Sequence, residues 1–191
     1  MRCTRKSYLS NKYILVTGAP GSRWSGFVND CLYTRPDVDT SDQSPNREYW
    51  AHGDLMHKGA YFDPSFEFMN SPESEWDKPF SGTGYRVIKS HTFAFMLDRL
   101  KEHGHDMYLI HRPDDECYEW WHTAGGWDIT YPDYRRYYWD NDGMKDQIRL
   151  QNKHILDFVK QEGLEGYDDG KRTIYRWRPP TNTRKNLTET G

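Results

Sequence analysis

The sequence predicts an α/β fold: a three-layer sandwich around a central, mostly parallel sheet. Continuous apolar runs of buried-strand type stand at residues 13–16, 87–88 and 107–110. Stretches with helical spacing of apolar residues alternate with them. Each run ends in polar or cationic residues, and in open sheets of this class the carboxyl ends of strands are where ligands bind.

The 191 residues suffice for one core, so the chain reads as a single domain over 1–191, with 1–12 and 181–191 as flexible tails. An apolar content of 35% and a mean hydropathy of −1.05 would by themselves indicate disorder. Aromatic residues make up 16% of the chain, however, and disordered chains are poor in them. A core rich in Trp, Tyr and Phe follows. The net charge of −3 gives no global attraction to nucleic acid or membranes, and neither is expected as a partner. Any anion site must be local. Cys3, Cys31 and Cys117 form no CxxC pair. Their odd number fits neither a disulfide framework nor a zinc site, and points to a reducing, cytoplasmic compartment. No apolar run approaches the roughly 18 residues that span a bilayer. The basic residues 1–12 lack a following apolar segment of secretory length and read as a basic tail.

Taken in order, residues 13–16 form the first strand. The loop 17–26 holds Gly18, Pro20, Gly21 and Gly26, and a helix starting near Ser22 then buries Phe27, Val28 and Leu32. Strand, glycine-rich loop and helix make a phosphate-cradle arrangement, with free backbone N–H groups at the helix start. No carboxylate precedes Asp30 in this helix, and Arg23 adds a cation. The Walker lysine is missing.

Residues 35–81 are the least regular. Asp37, Asp39, Ser41 and Asp42 serve as turn and cap residues, since the glycine and distal glutamate of a calcium loop are absent. His52, Asp54 and His57 match no strong metal template, and their segment reads as a loop lining a substrate pocket. Residues 71–84 are surface loop. In the next strand, at 86–91, Lys89 and His91 are two residues apart, which on a strand places both on one face. Phe93, Met96, Leu97 and Leu100 then share one helical face, and Gly104 ends that helix.

After the strand 107–110 come His111 and Arg112. Pro113 with Asp114, Asp115 and Glu116 marks a helix start, the carboxylates complementing its dipole. Arg112 either pairs with them or binds a ligand phosphate. The aromatic crowd from Trp120 to Trp139 reads as core or lid. A helix at 143–162 ends at Gly163, a last strand occupies 173–177, and Pro179-Pro180 stops it.

Three segments, in order, resemble the P-loop sulfotransferases that use 3′-phosphoadenosine 5′-phosphosulfate. The loop Gly18-Ala19-Pro20-Gly21-Ser22-Arg23-Trp24-Ser25 is similar to their 5′-phosphosulfate loop, chiefly through Pro20, Ser22 and Ser25. Arg86-Val87-Ile88-Lys89-Ser90-His91 resembles their strand ending in Lys-Thr-His, and Arg112-Pro113-Asp114-Asp115 their 3′-phosphate motif. The resemblance covers roughly residues 13–125. It implies a P-loop-type sandwich and donor binding by Pro20, Gly21, Ser22, Arg23, Trp24, Ser25 and Arg112. It also implies sulfuryl contact by Lys89, His91 as the base, and no metal. The family's loop cation aligns with Gly21, and the serine that closes its 3′-phosphate motif has no counterpart near Glu119 and Trp120.

The expected function is transfer of a sulfuryl group from 3′-phosphoadenosine 5′-phosphosulfate to a hydroxyl or amine of a small-molecule or glycan acceptor. His91 would be the general base and Lys89 would stabilise developing charge. A nucleotide or small-molecule kinase is an alternative, although it would want a loop lysine and a magnesium-binding carboxylate. A non-catalytic nucleotide-binding protein of the same fold is another.

Overall fold

The computed structural model describes residues 13–43, 49–51, 54–57, 73–129 and 133–180. Its centre is β1 (Tyr13–Gly18), flanked by β5 (Tyr85–Lys89) and β6 (Asp106–His111), both parallel to it. The short β2 (Val38–Asp39) adds in parallel outside β5. Beyond β6 the sheet turns antiparallel through β8 (Thr173–Trp177) and β7 (Gly166–Asp168). The six-stranded order is β2-β5-β1-β6-β8-β7. The fold is therefore α/β with a mostly parallel, mixed sheet, in which β8 alone runs against the direction of the other strands. A two-stranded antiparallel hairpin, β3 (Tyr49–Ala51) with β4 (Asp54–His57), stands apart within the stretch expected to be loop.

Side-chain alternation divides the core. Ile14, Val16, Val87 and Ile110 face one side, against α1 (Trp24–Phe27) and the π-helix Val28–Leu32 that continues it. Leu15, Ile88, Met107 and Leu109 face the other. There they meet α2 (Leu97–Glu102) and α4 (Asn141–Glu162) through Leu97, Leu100, Ile155 and Phe158. With both faces covered, the strands read as continuous apolar runs even though each alternates. α3 (Asp114–Thr123) packs on the first half of α4 and encloses a third cluster, with Ala19, Cys117, Trp121, Tyr134, Met144 and Ile148.

α4 is fixed at both ends. Asp140 Oδ1 accepts the Gly143 N–H at 2.7 Å, and Gly163 takes the left-handed conformation after the last turn (φ 62°). Much of the aromatic crowd is core, Trp121 and Tyr134 being buried, whereas Trp139 lies on the surface. Three helical expectations need correction. The first helix begins at Trp24, not Ser22, because Arg23 adopts a left-handed φ of 63°. It makes one α turn before widening into the π-helix. The segment after Ser90 is a 3₁₀ turn, His91–Phe95, followed by the short α2, instead of one continuous helix.

Candidate functional site

The ends of β5, β1 and β6 meet on one rim. Lys89 lies beside Val16 in the register, and Gly18 beside Ile110, which leads into His111 and Arg112. Because β8 runs antiparallel to β6, its first residue pairs with His111. The β7–β8 turn therefore reaches the same rim.

The loop after β1 is a closed turn. Ser22 donates its N–H to the Ala19 carbonyl at 3.0 Å, with Pro20 second and Gly21 third at φ 78°. That is the residue and φ pattern of a type II turn. A Cβ on Gly21 would stand 1.8 Å from the Cys117 carbonyl oxygen, so the turn lies directly on the first turn of α3. The Ser22 N–H is thus consumed within the turn, which corrects the expectation that it belongs to an open cradle. Its Oγ is buried with no hydrogen-bond partner among the described residues. Trp24 is buried, and Ser25 is partly exposed on α1.

β5 ends at Lys89, so His91 is not on the strand. Ser90 breaks out in an extended conformation and caps the 3₁₀ turn, its Oγ accepting the Thr92 N–H at 3.2 Å. His91 still reaches the α1 side: its ring stacks on Trp24 with centroids 4.2 Å apart. Its Nδ1 is 2.5 Å from the Gly18 carbonyl oxygen. A carbonyl only accepts, so Nδ1 carries the hydrogen and Nε2 the lone pair in the neutral ring. The imidazole has no exposed surface, and the Tyr134 ring lies 6.4 Å away. Lys89 is also buried, its Nζ 5.3 Å from the Tyr33 ring centroid. Burial and nearby Asp42 push the Tyr33 phenol well above its ordinary range, keeping it neutral beside the lysine.

Arg112 bonds Glu116 through Nε at 3.0 Å, not Asp114 or Asp115. Asp114 is taken instead by Asn152, a buried residue of α4, whose Nδ2 donates to Asp114 Oδ1 at 2.7 Å and to the Arg112 carbonyl at 2.9 Å. Arg112 Nη1 is buried without a partner among the described residues. Burial holds the His111 imidazole below its ordinary pKa, with Asp114 opposing, so it is neutral at pH 7.

Arg23 rests on Trp120, its guanidinium carbon 4.0 Å from the ring centroid. Arg172, from the β7–β8 turn, donates to the Arg23 carbonyl. Sequence reasoning missed Arg172 because it missed the hairpin. The signal was present in Asp169-Gly170, a dipeptide typical of tight hairpin turns.

Ser22, Arg23, Trp24, His91 and Arg112 therefore lie around the β1 and β6 ends of the rim, with Lys89 at the end of neighbouring β5, turned toward Tyr33. His52 lies outside the described residues, as do 58–72, 130–132 and 181–191. Among the described residues, no group of three or more His, Cys, Asp or Glu is placed to hold a metal ion, and no helix is long and apolar enough to cross a membrane. No family model, no curated protein and no solved structure matches this chain.

Proposed function

We propose that the chain is a sulfotransferase-like enzyme of the P-loop type. It would move a sulfuryl group from 3′-phosphoadenosine 5′-phosphosulfate to a hydroxyl or amine acceptor. The observation that carries this reading is the His91–Gly18 contact at the junction of three parallel strand ends: it orients the imidazole and assigns its hydrogen to Nδ1. In the reaction the acceptor oxygen or nitrogen forms a bond to sulfur, and the bond from sulfur to the bridging phosphate oxygen breaks. His91 Nε2 takes the acceptor proton. Lys89 offsets charge building on the leaving oxygen. Arg23 and Arg112 hold the donor's phosphates, and the buried Ser22 Oγ and Arg112 Nη1 fit such a ligand, being polar atoms in want of partners. Because the imidazole is enclosed, turnover requires the acceptor to displace what covers it.

One observation favours a second reading. The closed 19–22 turn withholds the Ser22 N–H from a phosphate, which suits a protein that binds a nucleotide through side chains and does not catalyse transfer. An acceptor screen with sulfur-labelled donor separates the two. Label transferred to a hydroxyl or amine compound supports the enzyme. Donor binding without transfer across the screen supports the binding protein.

A further inference from the structure

Arg23 is the only residue other than glycine with a positive φ among the described residues. Left-handed backbone is costly for a residue with a Cβ, and it persists only where its surroundings hold it. Arg172 Nη1 donates to the Arg23 carbonyl, and the Arg23 guanidinium lies flat on Trp120. Arg172 is fixed in turn. Its Nε donates to Asp169 Oδ2 at 2.9 Å, while Asp169 Oδ1 accepts the N–H groups of Lys171 and Arg172. The Arg172 side chain crosses above Gly26, where a Cβ would come within 3.0 Å of Nη1.

The charges at this corner are unequal. Asp169 is engaged on Arg172 and Glu116 on Arg112, and among the described residues no carboxylate is bonded to Arg23. Burial and the charges of Arg172 and Arg112 disfavour the Arg23 cation, with Asp169 opposing. Arg23 thus faces two other guanidiniums with no described carboxylate bonded to it, and a bound anion would relieve that repulsion.

We propose that Arg172 is a positioning residue: it holds Arg23 in its left-handed conformation, so that Arg23 and Arg112 together take the phosphate or sulfate ester group of a nucleotide. This rests on the reading of the rim as an anion site. It adds a hairpin residue that makes no ligand contact of its own.

The test is calorimetric titration of the full chain with inorganic pyrophosphate and with 3′-phosphoadenosine 5′-phosphate. Arg172→Ala should weaken both by tenfold or more, and Arg172→Lys, which keeps a donor for the Arg23 carbonyl, should recover part of the loss. In an Arg23→Gly background, Arg172→Ala should cost nothing further, because glycine needs no help at this φ and the guanidinium being positioned is gone. If Arg172→Ala does not fold, Asp169→Asn loosens the same side chain and should give a smaller loss of the same kind. Unchanged affinity in a folded Arg172→Ala, or losses that add in the double variant, would overturn the positioning role. Wild-type protein that binds neither probe would overturn the underlying anion site instead.

Discussion

His91 Nδ1 and the Gly18 carbonyl oxygen lie 2.5 Å apart, joining the turn after β5 to the last residue of β1. On the proposed function this contact serves both packing and proton transfer, and substitution can separate them. His91→Ala removes a fully buried ring stacked on Trp24 and should cost about 2–4 kcal/mol in urea unfolding. His91→Asn returns an N–H donor toward Gly18 and should regain part of that stability. Turnover should stay at least a hundredfold down in both, the usual worth of a general base. Native turnover in the Asn variant would leave His91 a packing residue.

Gly21 and Gly104 have nearly the same φ, 78° and 76°, but different surroundings. A Cβ at Gly104 meets nothing within 4 Å, whereas at Gly21 it meets the Cys117 carbonyl. Gly104→Ala should cost about 1 kcal/mol, the strain of left-handed backbone alone. Gly21→Ala should cost about 1–3 kcal/mol more, as the turn is forced off α3. Equal losses in denaturant unfolding would mean that the loop does not rest on α3.

Asn152 ties the connection between β6 and α3 to α4. Asn152→Ala should cost about 1–3 kcal/mol by stranding the Arg112 carbonyl and Asp114. Asn152→Asp should be worse at pH 7, about 3–5 kcal/mol, because an uncompensated carboxylate would face two acceptors. Burial and Asp114 would raise the new carboxyl's folded pKa. Its penalty should therefore ease as pH falls toward 4, where the protonated form can donate. A pH series of unfolding free energies checks both signs.

Cys117 titrates far from the ordinary thiol: burial pushes it to about 12, against 9.0. The unfolded chain releases this proton first, so stability should decline as pH rises through 9 toward 12. Over the unit from pH 9 to 10 the loss should be about 1 kcal/mol, within the limit of about 1.4 per unit. Cys117→Ala should lack this decline, and at pH 8 the native thiol should resist alkylation while exposed Cys31 reacts. Rapid labelling of native Cys117 would contradict its burial.

Much of this fold was legible in the residues. The apolar runs marked β1, β5 and β6, and Gly163 marked the end of α4, whereas its start was placed at 143 and the cap at Asp140 was not read. β7 was not, because Gly166–Asp168 is exposed throughout and shows no alternation. With it went the antiparallel return that carries Arg172 to the rim. Asn152 looked like any polar residue on a helix, and only the packing of α4 against α3 shows it buried. His91 was placed on a strand because spacing by two is the strand signal, but Ser90 in its capping role ends the strand first. That the ends of β5, β1 and β6 share one rim needed only strand order, which short crossovers restrict strongly.

The most direct test of the central claim is calorimetric titration with 3′-phosphoadenosine 5′-phosphate beside magnesium–ATP. On the proposed function the bisphosphate binds without metal and at least as tightly as the triphosphate. Arg112→Ala should then weaken the bisphosphate by about 1.5–3 kcal/mol, roughly ten- to a hundredfold, while adenosine 5′-phosphate is much less affected. Magnesium-dependent binding of ATP, with none of the bisphosphate, would contradict that function.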